Sequence, residues 1–183
     1  TFLRAAALLS QTYKQAHFLL VGRGVDYHNP ALRELVNELG LAERTRLAGE
    51  RDDVPRLMAA LDVFSLTSSY GESFPNVIGE AMACGVPCVV TDVGDSQWIV
   101  GDTGQTVPPR DPEALALAWR EMIERGTQAR NALGREARSS VVERFPLKAI
   151  VTRYEALYER LYAQKTAEQF PSESGEIAGS RAL

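Results

Sequence analysis

Five short apolar runs, separated by stretches with helical spacing, constrain the fold of this chain more than any other feature of its sequence. The runs lie at residues 17–21, 45–49, 63–67, 87–91 and 104–107. An apolar run of this length predicts a buried strand, whereas apolar residues three and four positions apart predict an amphipathic helix. Strands that alternate with helices run parallel, so the pattern predicts an α/β protein with a doubly wound parallel sheet.

Helices are predicted where a good first residue precedes an apolar stripe. They begin near residues 2, 30, 53 and 75, and Gly40 and Gly85 are predicted to end the second and the fourth. After residue 110 the pattern is entirely helical, with Asp111 as an N-cap, Pro112 in the first turn and a break at Pro146. We therefore predict a domain over residues 1–165, followed by a disordered tail over the polar residues 166–183.

Composition excludes several classes of protein. The chain has 183 residues, with 20 Lys and Arg against 24 Asp and Glu, and this net charge of −4 argues against a nucleic-acid partner. The apolar runs are too short to span a membrane, and no signal peptide is evident. The two cysteines, Cys84 and Cys88, are interpreted as small core residues, and a reducing cytoplasm is the default location.

The turns that follow the predicted strands point to a ligand cleft. Glycine, serine and charged residues are concentrated in the turns at residues 22–29, 49–53, 67–75 and 92–97. Right-handed crossovers bring the carboxyl ends of parallel strands to one edge, which is where such sheets bind ligands. We expect the four turns to line that edge.

The turn at 67–75 and the helix after it carry the strongest signal. A helix start binds anions through its unpaired N–H groups and its dipole, and phosphate is the natural guest. Glu72 precedes the helix and Glu80 lies inside it. Carboxylates repel phosphate, so these two are better suited to accept hydrogen bonds from sugar or ribose hydroxyls beside it. The alternative is that Glu72 caps the helix and Glu80 lies on a solvated face.

The segment over residues 68–89 reads Ser-x-x-Gly-Glu-Ser-Phe-Pro-Asn-Val-x-x-Glu-Ala-Met-Ala-Cys-Gly-Val-Pro-x-Val. It closely resembles the signature of family 4 (group 1) retaining glycosyltransferases, which have the GT-B fold of two Rossmann-like domains facing across a cleft. The second domain binds the nucleotide-sugar donor. Further segments that resemble the family are 19–22, 47–55, 62–68, 92–94 and 104–109. The resemblance covers residues 1–165 and implies that this chain is the donor-binding, C-terminal half.

The resemblance also implies roles for single residues. Glu72 is the implied catalytic residue, contacting hydroxyls of the donor sugar and helping to stabilise the transition state. Glu80 is expected to accept hydrogen bonds from the ribose diol. The backbone that faces the diphosphate is expected to be that of Ser73, Phe74, Asn76 and Val77, because Pro75 has no N–H to give.

The contacts with the base and with the rest of the nucleotide are assigned to two other turns. Arg51 and Asp52 are expected to lie against the base, and Gly22 and Gly24 to let the backbone approach the nucleotide. The implied reaction transfers a sugar with retention at the anomeric carbon. It requires no cofactor and no metal, because cationic side chains and backbone dipoles stabilise the leaving diphosphate.

Three departures from the family pattern bear on these expectations. An Arg…Lys pair that usually precedes this stretch is not in the sequence, nor is the N-terminal acceptor-binding domain, through which any membrane association would occur. The chain begins at Thr1 without Met, as a fragment would. The absent upstream strand of the family fold should lie at the centre of the sheet, between the strands at 17–21 and 62–67. We therefore expect a gap or unpaired edges there, and an isolated fragment that is inactive. Trp98 stands where the family often has Glu, so its loop is assigned no role.

Two alternative functions stay open. The same fold serves sugar-nucleotide 2-epimerases, whose chemistry needs acid and base groups beside the sugar, but the only histidines are His17 and His28. The second alternative is a non-catalytic nucleotide-binding module. The expected location is the cytoplasm, with the inner face of the membrane as the alternative. The sugar, the base and the acceptor are not determined by the sequence.

Overall fold

The structure is a computed structural model that describes residues 1–169. The five strands in this part of the chain are β1 Phe18–Leu20, β2 Thr45–Leu47, β3 Phe64–Leu66, β4 Cys88–Thr91 and β5 Gly104–Val107. The helices are α1 Phe2–Thr12, α2 Pro30–Glu38, α3 Val54–Ala59, α4 Asn76–Ala83, α5 Ser96–Val100, α6 Pro112–Glu124, α7 Gly126–Arg144 and α8 Leu147–Gln169, with a 3₁₀ turn at Gly101–Thr103. The five predicted strands and the predicted helices occur in the predicted order, and α5 is an additional short helix between β4 and β5.

All strand pairs in the described chain are parallel, which confirms the predicted α/β class. β1 pairs with β2, with Leu19 opposite Arg46. A second sheet has the order β3-β4-β5, with Ser65 opposite Val89. The sheet is thus interrupted between β1 and β3, where the resemblance predicted a gap.

Aromatic packing joins the two sheets across this interruption. Trp119 of α6 lies 5.0 Å from Phe2 of α1 and 5.9 Å from Phe18 of β1, measured between ring centroids. Its indole Nε1–H donates a 2.8 Å hydrogen bond to the hydroxyl of Ser65 on β3. One buried side chain therefore contacts both sheets, and α6 packs along α1 at the centre of the core.

Local sequence signals account for several helix ends. The Asp111 carboxylate accepts a 2.8 Å hydrogen bond from the backbone N–H of Ala114 at the start of α6. At the start of α2, the Asn29 side-chain oxygen accepts a hydrogen bond from the backbone N–H of Leu32. These bonds satisfy donors that the first turn leaves unpaired. α7 ends at Arg144, two residues before Pro146, as predicted.

Two expectations differ from the structure. Residues 92–97 were predicted to be one turn, but α5 begins at Ser96 because Ile99 and Val100 are buried and the Ser96 hydroxyl donates to the Val93 carbonyl. Helix α8 continues to Gln169, so the first residues of the predicted tail are helical. The rest of that tail, 170–183, lies outside the described residues.

The described chain separates into two compact units, and the predicted domain over residues 1–165 stays a prediction. The first unit is Thr1–Arg144, which contains both sheets, and the second begins at Phe145. In the second unit, the apolar residues of α8 are largely exposed: Leu147, Val151, Tyr154, Tyr158, Leu161 and Tyr162.

Candidate functional site

The first turn of α4 is the centre of the candidate site. Ile78, Ala81 and Met82 are fully buried against the fold, whereas Glu80 is exposed, so the helix turns its carboxylate away from the core as predicted. Pro75 precedes the helix with an extended backbone at φ −73° and ψ 98°. Its ring fixes the direction in which the chain enters the helix.

Two backbone donors of this first turn are available to a ligand. The N–H of Ile78 donates to the Pro75 carbonyl at 3.1 Å. Those of Asn76 and Val77 have no partner among residues 1–169, and no side chain caps the helix. Unpaired donors and the helix dipole favour an anion at this end.

Glu72 does not cap α4, which was one interpretation of its position. Instead, its Oε1 accepts a 2.6 Å hydrogen bond from the Ser68 hydroxyl. The side chain is half-buried beside the Gly71–Pro75 loop. Its orientation is therefore set by the loop after β3 rather than by the helix.

The turn after β4 supports this loop, and the sequence assigned it no such role. The backbone N–H of Asp95 donates to the Ser73 carbonyl at 2.8 Å, and the Thr91 hydroxyl donates to the Ser68 carbonyl at 2.7 Å. Gly94 packs against the same loop. The resemblance of residues 92–94 to the family was the only sequence signal for this contact.

The turns after β1 and β2 form a second group on the other sheet. The N–H of Gly22 donates to the Gly49 carbonyl at 2.9 Å, and the N–H of Gly49 donates to the Val25 carbonyl at 2.8 Å. Gly24 has φ +71°, a conformation that favours glycine. The predicted nucleotide contacts Gly22, Gly24, Arg51 and Asp52 all belong to this group.

Arg51 is held by a residue to which the sequence assigned no role in the site. Its Nε and Nη2 donate to the two carboxylate oxygens of Asp53 at 2.8 and 3.0 Å. This pairing lowers the pKa of Asp53, mainly through the hydrogen bond from Arg51, and raises the pKa of Arg51. The guanidinium is thus fixed at the edge of the β2 turn, while Asp52 beside it is exposed.

Two aromatic residues lie next to the candidate site. Phe74, predicted to face the diphosphate with its backbone, packs edge-on against Trp98 of α5 with ring centroids 6.1 Å apart. The Arg144 guanidinium lies 5.0 Å from the Trp98 ring, and its Nη2 donates to the Trp98 carbonyl at 2.6 Å. Trp98 thus joins the end of α7 to the loop before α4.

The two cysteines differ in environment. Cys88 on β4 is buried, and burial raises the pKa of its thiol to about 12. Cys84 at the end of α4 is half-buried, with its Sγ 3.8 Å from the Pro55 carbonyl oxygen. Cys88 agrees with its interpretation as a small core residue, whereas Cys84 is only half-buried.

We expect a thiol reagent at pH 8 to label Cys84 well before Cys88, which should react only on unfolding. The thiolate is the reactive form, and Cys88 holds its proton throughout the ordinary pH range. Above pH 9 the thiol of the unfolded chain ionises while the folded one does not, so Cys88 should lower stability as pH rises toward 12. Two equally fast equivalents of label on the native chain would contradict this burial.

Residues 1–169 contain no cluster of three or more His, Cys, Asp or Glu side chains that could hold a metal ion. None of the helices described is long and apolar enough to cross a membrane.

Comparison with known proteins agrees with the fold. The chain is 37% identical over 149 residues to the N-acetyl-alpha-D-glucosaminyl L-malate synthase of Bacillus anthracis, covering 80% of this chain and 38% of that protein. It is 35% identical over 156 residues to the lipopolysaccharide core biosynthesis glycosyltransferase LpsE of Rhizobium meliloti, covering 84% of this chain and 44% of that protein. The chain thus spans less than half the length of these relatives.

A solved structure extends the comparison. The crystal structure of Anabaena HepE in complex with UDP matches with a TM-score of 0.74 and 31% identity, over 89% of this chain and 45% of that one. HepE has also been crystallised with UDP-glucose. The family model described as glycosyl transferases group 1 matches residues 1–125. The chain therefore belongs to the group 1 glycosyltransferase family, as the sequence signature indicated.

Proposed function

We propose that this chain binds the nucleotide-diphosphate part of a sugar donor, and that the protein containing it transfers the sugar to an acceptor with retention of anomeric configuration. The observation that carries the proposal is the first turn of α4, where the unpaired N–H groups of Asn76 and Val77 lie between Glu72 and Glu80. The complexes of HepE with UDP and UDP-glucose support a nucleotide sugar as the ligand class.

Each part of the ligand has a chemically matched group in this proposal. The diphosphate accepts hydrogen bonds from the first turn of α4, and the helix dipole stabilises the negative charge that develops as the sugar leaves. The exposed Glu80 carboxylate accepts hydrogen bonds from the ribose diol. Glu72 contacts the sugar hydroxyls. The bond between the sugar and the phosphate breaks on the side that faces the N–H groups in the first turn of α4.

The turns after β1 and β2 are proposed to receive the base. Arg51, fixed by Asp53, offers a planar guanidinium on which a base can stack. The backbone of Gly22 and Gly24 carries no Cβ that would keep the nucleotide at a distance. No metal takes part, so a chelator is expected to leave nucleotide affinity unchanged. An acceptor-binding domain is proposed as the partner that completes the cleft.

Isothermal titration of this chain with UDP, GDP and ADP, with and without EDTA, tests the proposal. We expect one base to give saturable binding that Glu80→Ala weakens by about 1–3 kcal/mol, roughly 5- to 150-fold in affinity. Glu38→Ala on α2 is the control, because it removes another exposed helical carboxylate that lies outside the site. Equal affinities for the Glu80 variant and the wild type would argue against the assignment.

A further inference from the structure

The backbone of Gly94 approaches the Glu72 loop more closely than any side chain would allow. A Cβ built on Gly94 would lie 2.5 Å from the Glu72 carbonyl oxygen and 2.7 Å from the Ser73 carbonyl oxygen. Both neighbours are backbone atoms, so no rotamer change could relieve the overlap. Gly94 also has φ +58°, where a side chain is strained. Only glycine fits this position with the Glu72 loop where it is.

Hydrogen bonds fix the same loop at two further points. The Asp95 N–H donates to the Ser73 carbonyl at 2.8 Å, which holds the backbone just after Glu72. Thr91, only 1% exposed, donates its hydroxyl to the Ser68 carbonyl at 2.7 Å. The Ser68 hydroxyl in turn donates to Glu72 Oε1 at 2.6 Å. A chain of contacts therefore runs from the buried end of β4 to the Glu72 carboxylate.

We infer that the turn after β4 is a positioning device for Glu72. Gly94 and Asp95 set the backbone of the Glu72 loop, while Thr91 and Ser68 aim the carboxylate. The inference rests on the proposed function, in which Glu72 contacts the donor sugar. Gly94, Thr91 and Ser68 are positioning residues, because they act through Glu72 and are not assigned any contact with the donor.

The arrangement leaves one carboxylate oxygen for the sugar. Oε1 is engaged by Ser68, whereas Oε2 has no partner among residues 1–169. A carboxylate fixed by one oxygen presents the other in a defined direction, which lowers the entropy lost when a sugar hydroxyl binds. Loss of the positioning contacts should therefore affect recognition of the sugar and spare recognition of the nucleotide.

The test compares, in this chain, the affinity for the best-binding nucleoside diphosphate among UDP, GDP and ADP with that for its glucose conjugate. The affinity for the glucose conjugate that Glu72→Ala loses measures the contribution of the sugar contact. Gly94→Ala is expected to weaken the glucose conjugate about tenfold, as Glu72→Ala does, and to change nucleoside diphosphate affinity less than twofold. In the double variant the second substitution should add nothing, because both act on one interaction.

Controls separate positioning from general damage to the fold. Gly40→Ala imposes the same backbone conformation, φ +66°, with no atom within 4 Å of the new Cβ. It should affect neither ligand. If Gly94→Ala fails to fold, Ser68→Ala should reproduce the selective loss and Ser68→Thr, which keeps the hydroxyl, should restore the affinity.

Three results would overturn the inference. The first is equal weakening of both ligands by Gly94→Ala or Ser68→Ala, which would indicate a structural role only. The second is full additivity with Glu72→Ala. The third is that the Gly94 and Ser68 variants keep the wild-type affinity for the glucose conjugate, while the Glu72→Ala variant loses it. By contrast, a wild-type chain that binds none of the three diphosphates would refute the proposed function itself.

Discussion

Replacing Trp119 with alanine is expected to lower the free energy of unfolding by about 3–5 kcal/mol. The side chain is 6% exposed and packs against aromatic rings on α1 and β1. Its indole N–H also bonds to Ser65 on the second sheet. The substitution would therefore leave a cavity at the place where no strand pairing joins the two sheets. Urea denaturation followed by circular dichroism measures the change.

Trp119→Phe separates the two contributions of this residue. It keeps most of the aromatic packing and removes the donor to Ser65, so we expect a smaller loss of about 1–2 kcal/mol. If Trp119→Ala destabilised the chain no more than Trp119→Phe, the packing would not hold the two sheets together as described.

Gly134→Ala is expected to destabilise the chain by about 1–3 kcal/mol, although alanine is the better helix former. A Cβ at this position of α7 would overlap the Gly85 carbonyl oxygen at the end of α4. Because the obstacle is backbone, α7 would have to move away from α4, and its neighbour Arg138 would be pulled from its hydrogen bond to the Ala83 carbonyl. Denaturation midpoints report the effect.

Gly79→Ala is the matched control on the facing helix. Its Cβ would meet only Val141 Cγ2 at 3.6 Å, an ordinary contact, and its backbone has no special conformation. The gain in helix propensity should then stabilise the chain by about 0.5–1 kcal/mol. The two glycine substitutions are therefore predicted to have opposite signs, and a shared sign would contradict this account of the α4–α7 contact.

Features encoded locally could be predicted from the sequence. Pro112 after Asp111 and the break at Pro146 act within one or two turns, so the helices begin and end near their predicted positions. The order of strands and helices follows from apolar periodicity, and the parallel pairing follows from that order. Helix α5 was missed because five residues are too few to establish a helical period.

Contacts between distant segments left no periodic signal. Gly94 reads as an ordinary turn glycine, yet it lies against Glu72, 22 positions earlier in the chain. Gly134 looks like a weak point in an exposed helix, although it permits the close approach of α7 to Gly85. Such glycines are defined by what occupies the space of their missing side chain, which only the folded structure reveals.

The site itself was predicted unevenly for the same reason. The helix start at Asn76 and the outward direction of Glu80 follow from local spacing, and the structure has both. The support of Glu72 by Ser68, and of Arg51 by Asp53, depends on side-chain geometry that spacing does not encode. The roles assigned to these residues in donor binding stay predictions.

The central claim is that a nucleoside diphosphate binds at the first turn of α4. Titration of the ¹⁵N-labelled chain with the diphosphate that binds, followed in assigned amide spectra, tests it most directly. We predict the largest shifts at the amides of Asn76 and Val77, and weaker saturation of these shifts in Glu80→Ala. The account would be contradicted if these two amides did not shift and the shifts occurred elsewhere. One such place is the groove along α7 that is lined by Ala132, Glu136 and Ser140.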